Sequence, residues 1–179
     1  MSNLPTTRAL VAQPLTREAF FPFGAILRAR PDGTPVTEDE GLLDLAAGRP
    51  RFYLMELADK PPRFRTITRH RRTTQSLLSV GGASWIIAVA PPEDLDDPGA
   101  EPDVDRIVAF EVPGDVAVLL HRGTWHSGPH FAEPVRTFAN LELADTNIVD
   151  HHTFRLDRER SLQFEITAPE AGIRKQALI

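Results

Sequence analysis

Two histidines on either side of a glycine are the residues of this chain best suited to chemistry. They are His121 and His126, and Gly123 lies between them at the end of an apolar run. A third histidine, His70, comes earlier in the chain and is followed by Gln75. Histidine transfers protons near neutral pH and is a common metal ligand. If the fold brings these residues to one pocket, the sequence predicts a site for acid–base catalysis or for a divalent cation.

The alternation of side chains along a strand predicts how the first of these residues is presented. Residues two apart share one face of a strand, so Thr68 and His70 point the same way. Gln75 opens the next predicted strand and can turn back toward His70. This face is therefore expected to line a pocket.

The later pair needs a turn to share that pocket. His121 and His126 are five residues apart, a spacing that would place them on opposite faces of one continuous strand. Gly123 permits a backbone turn, so we expect both imidazoles to reach one cavity. Trp125 is expected to supply an apolar wall beside them and to contact the substrate.

The elements that must position these residues are predicted to be short strands. The predicted strands are 24–28, 51–57, 64–69, 75–80, 84–90, 106–111, 116–121 and 137–143. Each is rich in β-branched or large apolar residues. A short helix capped by Thr16 precedes them and ends before Pro22. Residues 38–47 are compatible with a helix or a loop, and the proline- and acid-rich residues 91–105 predict an exposed loop. The pattern indicates a β-sandwich or barrel.

Composition narrows the class of protein. The 179 residues suit one domain, with 41% hydrophobic and 25% charged residues. The net charge of −5 argues against a nucleic-acid partner. The absence of cysteine excludes disulfides and thiol chemistry. No signal peptide or membrane-spanning run is evident, which predicts a cytoplasmic protein with no membrane partner, and exposed sheet edges predict a homodimer.

The later segment resembles the second motif of the cupins. In that motif a Gly-Asp strand leads to a proline-x-glycine turn and then to a histidine. Gly114, Asp115, Gly123 and His126 fit this pattern, with His121 in the proline position.

The earlier segment is similar to the first cupin motif. His70 matches its second histidine, Gln75 takes the glutamate position and Gly82 matches the glycine, whereas Thr68 stands in place of the first histidine. The resemblance implies an all-β fold, a cupin-type double-stranded β-helix (jelly-roll barrel) with a short N-terminal helix. It implies one domain over residues 1–179.

The chain also resembles a narrower family, the ureidoglycolate lyases, over residues 14–145. The matching residues are Arg69, His70, Thr74, Gln75, Val89, Ala90, Pro102, Asp103, residues 106–110, His121, Arg122, Trp125 and His126. This resemblance implies a carbon–nitrogen lyase of allantoin degradation. Such an enzyme splits ureidoglycolate, a small-molecule substrate, into glyoxylate and urea without an organic cofactor.

The resemblance also suggests roles for the site residues. Either His121 or His126 would take the hydroxyl proton, while the other, or His70, would protonate urea or hold a metal. His121 is expected to carry the proton and His126 to be the metal ligand, and Gln75 would orient the substrate. The set His70, Gln75 and His126 could hold a divalent ion, but Thr68 and Gln75 replace two strong cupin ligands. A metal-bound site and a metal-free site both remain open.

The substrate carboxylate calls for a cation. Members of the family commonly carry an arginine at the end of the strand that precedes the first motif, but residues 55–57 here read Met-Glu-Leu. Arg63 and Arg65 are the nearest substitutes, and we expect one of them to bind the carboxylate. Two other functions stay open: a metal-dependent cupin enzyme acting on another small polar acid, and a cupin that binds a small molecule without catalysis.

The remaining candidates favour structural roles. His130 is expected to be a satisfied polar residue of a strand, and the pair His151 and His152 a surface feature beyond the barrel. The arginines of residues 69–72 suit either a solvated face or an anion site.

Overall fold

A computed structural model describes residues 4–37 and 41–168, and these residues form thirteen strands, three short α-helices and one 3-10 helix, Val104–Arg106. The strands are β1 Thr6–Pro14, β2 Gly24–Leu27, β3 Pro50–Ala58, β4 Arg63–Phe64, β5 Thr66–Arg69, β6 Gln75–Ser79, β7 Gly82–Ala90, β8 Val108–Gly114, β9 Ala117–Leu120, β10 Trp125–His130, β11 Val135–Leu143, β12 His152–Arg155 and β13 Leu162–Thr167. The helices are α1 Arg17–Phe20, α2 Thr146–Val149 and α3 Leu156–Glu159.

The strands form two sheets that enclose a common core. The larger sheet has the order β12-β5-β10-β7-β8-β1-β13-β4, and the smaller has the order β2-β9-β6-β11-β3. Trp85 of the larger sheet and Phe138 of the smaller sheet meet edge to face, with ring centroids 5.2 Å apart. The fold is the predicted cupin-type jelly-roll barrel.

A second apolar cluster lies on the other face of the larger sheet. Trp125, Phe154 and Phe164 belong to it, together with small residues such as Ala90. Strands toward both ends of the sheet supply much of this cluster, including Phe154 of β12 and Phe164 of β13, and β1 joins β8 to β13 by parallel pairing on both of its sides. Alternate residues of the central strands therefore face different cores.

Most predicted elements are confirmed. Helix α1 begins as expected, with the Ala19 amide donating to Thr16 Oγ1 at 3.3 Å. The eight predicted strands occur within a few residues of their expected bounds, and residue 28 lies just outside β2. Strands β1, β10, β12 and β13 lie where no strand was predicted, and the predicted strand 64–69 is divided at Arg65 into β4 and β5. In the ambiguous segment, residues 41–47 form no helix, and residues 38–40 lie outside the described part of the chain.

The acidic loop of residues 91–105 is fixed to the barrel by hydrogen bonds from arginine side chains. Arg69 is fully buried and donates to the carbonyl oxygens of Glu93, Asp94 and Asp97 at 2.6–3.2 Å. Arg71 donates to the Leu95 carbonyl at 2.9 Å. The prediction of a solvated face or an anion site is therefore wrong for Arg69 and Arg71, because these two side chains bind the carbonyl oxygens of a loop. None of the helices in the described residues has the length and hydropathy of a transmembrane segment.

Candidate functional site

One end of the barrel interior is polar. On the inward faces of β6 and β11, Leu77 and Phe138 belong to the apolar core. Farther along the same faces, Gln75, Asn140 and Glu142 are buried, with exposed fractions of 8%, 1% and 1%. Buried polar side chains in a row mark the end of the barrel where chemistry is possible.

Two of the predicted histidines meet at this end. His126 of β10 is opposite Val89 of β7 and Thr68 of β5, so it faces the core that Val89 helps to form. His70 directly follows β5, and its ring centroid lies 5.2 Å from that of His126. Both side chains are buried. The structure therefore brings together one histidine from each sequence motif.

The turns that carry the two motifs are joined directly. The Gly123 amide donates to the His70 carbonyl at 2.6 Å, and Arg122 Nε donates to the Arg71 carbonyl at 2.9 Å. Gly123 has a φ of +80°, and a Cβ there would lie 2.5 Å from a methyl group of Leu95. The positive φ favours glycine at this turn, and any larger residue would also require the Leu95 side chain to move.

Backbone carbonyls fix the orientation of both imidazoles. His70 Nδ1 lies 2.5 Å from the Asp150 carbonyl oxygen, and His126 Nδ1 lies 3.1 Å from that of Thr124. A carbonyl only accepts hydrogen bonds, so each Nδ1 carries a proton. In the neutral rings, Nε2 is left with its lone pair, the form required of a base or a metal ligand.

His126 stays neutral at physiological pH. Its pKa is lowered from 6.5 to about 3, mainly by burial and further by the nearby His70 and His151 rings, while the bond to the Thr124 carbonyl opposes these effects. His126 therefore cannot serve as an imidazolium acid near neutral pH. Its neutral ring can accept a hydrogen bond or bind a metal ion.

A buried carboxylate, Glu142, organises the polar end. It accepts hydrogen bonds from the Tyr53 hydroxyl at 3.1 Å, Gln75 Nε2 at 3.0 Å and Asn147 Nδ2 at 3.3 Å. Asn140 Nδ2 in turn donates to the Tyr53 hydroxyl at 3.0 Å. Burial raises the pKa of Tyr53, the Glu142 charge adds to this, and the bond from Asn140 opposes it, so the hydroxyl keeps its proton.

Several residues of this polar end were not predicted from the sequence, namely Tyr53, Asn140, Glu142 and His151. The His151 ring lies 5.5 Å from that of His70, yet His151 is exposed between α2 and β12, so the prediction of a loop or surface feature is confirmed for this residue. It is wrong for His152, which lies in β12. Burial and His70 lower the pKa of His151, while Glu142 and Asp150 oppose them. Helix α2 returns the chain to the barrel here, and the run Asp150-His151-His152 was the only sequence signal. Neighbouring His152 instead accepts from Arg69 Nε at 3.1 Å.

The structure does not bring His121 or Trp125 to the histidine pair. His121 is exposed, and its backbone amide donates to the Phe23 carbonyl at 2.9 Å. Trp125 is fully buried in the second core cluster, so its predicted role as a pocket wall is wrong. The reason is that Trp125 and His126 are adjacent residues of strand β10 and face opposite sides of the sheet.

The expected arginines also lie elsewhere. Arg63 and Arg65 are exposed and line a cavity of about 450 Å³ that also includes Thr7 and Gln163. His130, as predicted, is a satisfied residue: its Nδ1 donates to the Pro61 carbonyl at 2.8 Å.

A different arginine stands at the polar end. Arg51 of β3 is directly opposite Glu142 of β11, and its guanidinium lies 3.7 Å from the centre of the Tyr53 ring. Arg51 is exposed, so its charge can reach a ligand that enters the barrel.

The donors available to a metal ion form an incomplete set. His70 and His126 offer two imidazole nitrogens, and Gln75 Oε1 is a buried amide oxygen without a hydrogen-bond partner. Within the part of the chain that the structure describes, no three His, Cys, Asp or Glu side chains are grouped to hold a metal. The expected set His70, Gln75 and His126 is thus a weak one.

Comparison with known proteins relates the chain to one family. The family model described as ureidoglycolate lyase matches residues 37–157. A ureidoglycolate lyase of Pseudomonas fluorescens is 27% identical over 172 residues, which cover 84% of this chain and 94% of the relative. The ureidoglycolate lyase of Pseudomonas paraeruginosa is 26% identical, covering 85% and 94%.

Among solved structures, a chain of oxalate decarboxylase overlaps 62% of this chain with a TM-score of 0.39 and 10% identity. This chain spans about a quarter of that structure, 24%. The fold assignment rests on the two sheets and their shared core.

Proposed function

Because the chain belongs to the ureidoglycolate lyase family, whose model matches residues 37–157, we propose that it cleaves ureidoglycolate to glyoxylate and urea. This substrate carries a hydroxyl group and a ureido nitrogen on one carbon, beside a carboxylate. Cleavage requires a proton to leave the hydroxyl and a proton to reach the departing nitrogen. The observation that carries the proposal is the buried pair His70 and His126, whose Nδ1 protons are held by backbone carbonyls.

We assign the proton transfer to His70. Its Nε2 takes the hydroxyl proton, the C–O bond becomes a carbonyl, and the C–N bonding electrons move to the ureido nitrogen. The imidazolium then returns the proton to that nitrogen and releases urea. One imidazole can serve both steps because the oxygen and the nitrogen share a carbon. General acid–base catalysis of this kind typically contributes about 10²–10⁴-fold.

His126 has a different role in this proposal. Because its pKa is about 3, it stays neutral beside His70 and leaves the single hydroxyl proton to that ring. A neutral neighbour also adds no positive charge that would oppose the His70 imidazolium formed during the reaction. His121, exposed at the adjoining turn, contributes less than either buried histidine.

We further propose that Arg51 binds the substrate carboxylate in place of Arg63 or Arg65. Its guanidinium lies on the Tyr53 ring, beside the buried cluster. An arginine can hold a carboxylate through two parallel hydrogen bonds. Arg63 and Arg65 line a separate cavity without the histidines.

A divalent cation has only His70, Gln75 and His126 as protein ligands here, so its binding would be weak. The proposed reaction has no step at a metal.

The test is incubation of the purified protein with ureidoglycolate while urea and ammonia are both followed. Release of urea without ammonia supports the proposal, and ammonia would indicate a hydrolase. Oxygen consumption after addition of iron would favour the metal-dependent alternative, and tight binding without turnover would favour a binding protein. His70→Gln should abolish urea release.

His130→Gln is the matched control for this experiment. His130 is also a buried histidine whose Nδ1 is bonded to a backbone carbonyl, but it lies away from the cluster. Equal loss of activity in the His70 and His130 variants would indicate a folding defect and count against the assignment.

We also propose a homodimer. Strand β3 is an edge of the smaller sheet, and on its outer side Phe52 and Leu54 are 71% and 63% exposed. Exposed apolar residues on an edge strand favour association with another chain. Light scattering should give twice the mass of the chain for the native protein, and the mass of one chain for Phe52→Glu.

A further inference from the structure

Two buried amide oxygens at the polar end have no hydrogen-bond partner. They are Gln75 Oε1 and Asn140 Oδ1. Both side chains are more than nine-tenths buried. A buried acceptor without a partner costs free energy, so such atoms in a native protein call for an explanation.

The Glu142 carboxylate determines which way both amides face. An ionised carboxylate only accepts hydrogen bonds, so Gln75 must present its NH₂ group to Glu142 Oε2. The Tyr53 hydroxyl donates its proton to Glu142 Oε1 and therefore accepts from Asn140 Nδ2. Neither amide can reverse without placing an oxygen against an acceptor. The two oxygens are thus directed away from the carboxylate.

The two amides also lie on one face of one sheet. Asn140 of β11 is directly opposite Leu77 of β6, and Gln75 is two residues before Leu77, so Asn140 and Gln75 are diagonal neighbours. Leu77 belongs to the core between the sheets, so this shared face is the inner one. The unpartnered oxygens therefore belong to the barrel interior.

We propose that Gln75 and Asn140 form an acceptor pair for N–H donors of the ligand, and that Glu142 is the positioning residue that fixes their direction. Gln75 Oε1 and Asn140 Oδ1 each need a hydrogen-bond donor. A ureido group offers N–H donors at both of its nitrogens. This inference rests on the proposed function, since it assigns the ureido end of the same substrate to these residues. Arg51 and the histidines are left for the carboxylate and hydroxyl end.

The experiment uses two ligands that are not cleaved. Ureidoacetate keeps the ureido group and the carboxylate but lacks the hydroxyl, and N-acetylglycine replaces its terminal NH₂ with a methyl group. Calorimetric titration of the native protein should show ureidoacetate binding at least about tenfold more tightly than N-acetylglycine. The ratio of the two dissociation constants reports N–H recognition and cancels effects shared by both ligands.

Variants then identify the residues that recognise the N–H donors of the ligand. Asn140→Leu and Gln75→Leu should each reduce the ratio to about threefold or less. Glu142→Gln keeps the volume but can donate, so the amides lose their fixed direction and the ratio should fall in the same way. Gln163→Leu is the matched control, because that amide donates to Thr7 Oγ1 on another part of the surface. It should leave the ratio unchanged.

The outcomes separate this inference from the proposed reaction. A native ratio near one, or a ratio that survives both leucine variants in protein with a native melting temperature, would overturn the acceptor pair even if urea is released. A ratio that behaves as expected in a protein that releases no urea supports the acceptor pair and overturns the lyase. If a leucine variant fails to fold, the ratio of dissociation constants measured for Glu142→Gln tests the acceptor pair: a fall supports it, and an unchanged ratio overturns it.

Discussion

Asp150 holds His70 in place through both its backbone and its side chain. Its carbonyl oxygen lies 2.5 Å from His70 Nδ1, and its two carboxylate oxygens accept from the amides of Arg71 and Arg72 at 2.8 Å each. One residue thus sets the tautomer of the imidazole and the shape of the turn that follows it. Asp150 is buried, so these bonds form away from bulk water.

Replacement of this carboxylate should reduce both stability and activity. Asp150→Asn keeps one acceptor oxygen and leaves one turn amide unpaired, so the free energy of unfolding should fall by about 1–2 kcal/mol. The turnover number should fall several-fold because the His70 ring is less well oriented. Urea denaturation and steady-state kinetics would measure the two effects. Asp145→Asn is the control, since that carboxylate forms an exposed ion pair with Arg72 and should matter by less than about 0.5 kcal/mol. Equal effects of the two substitutions would contradict the conclusion that Asp150 holds His70 and the following turn in place.

The histidines should differ in their contribution to catalysis. His126→Ala removes a buried ring beside His70, and because its loss can displace His70 we expect kcat/KM to fall by about 100-fold. His121→Ala removes an exposed ring and should cost less than about tenfold. Kinetics on the folded variants would decide. A larger loss for His121 than for His126 would restore the sequence-based assignment of His121 as the proton carrier.

The arginine that binds the substrate carboxylate can be identified from the KM values of arginine variants. Arg51→Leu should raise KM for ureidoglycolate by about tenfold or more and change kcat little, because a contact with the carboxylate is present before and during the reaction. Arg63→Leu and Arg65→Leu should leave KM unchanged, since those side chains line another cavity. The opposite pattern would show that the substrate enters from that cavity.

The barrel fold and the proximity of His70 and His126 could be predicted from the sequence. His70 and His126 were predicted to share a pocket because strand parity and the spacing of the two motifs are local properties. Trp125 was placed beside the histidines because no strand was predicted immediately after Gly123. Strand β10 instead begins at Trp125, and alternation then sends Trp125 and His126 to opposite cores.

The rest of the site depends on contacts that no local pattern reveals. Glu142 joins Gln75 only because β11 pairs with β6, and His151 joins His70 only because helix α2 turns the chain back. A buried glutamate on an alternating strand reads in the sequence as an outward residue. For the same reason, Arg51 at the start of β3 could not be distinguished from the other arginines until its pairing with β11 was known.

Two buried histidines should make the protein sensitive to mild acid. Burial lowers the pKa of His126 to about 3 and that of His130 to about 4, whereas in the unfolded chain both have a pKa near 6.5. Below pH 6.5 the unfolded state therefore binds more protons than the folded state. The stability these rings contribute is complete above that pH and declines as the pH falls toward 4. Each ring contributes a slope of up to about 1.4 kcal/mol per pH unit. Urea denaturation between about pH 7 and pH 4.5 should show this loss, and His130→Gln should make the slope shallower by about that amount per unit. A slope that His130→Gln does not change would contradict the buried neutral state of that ring.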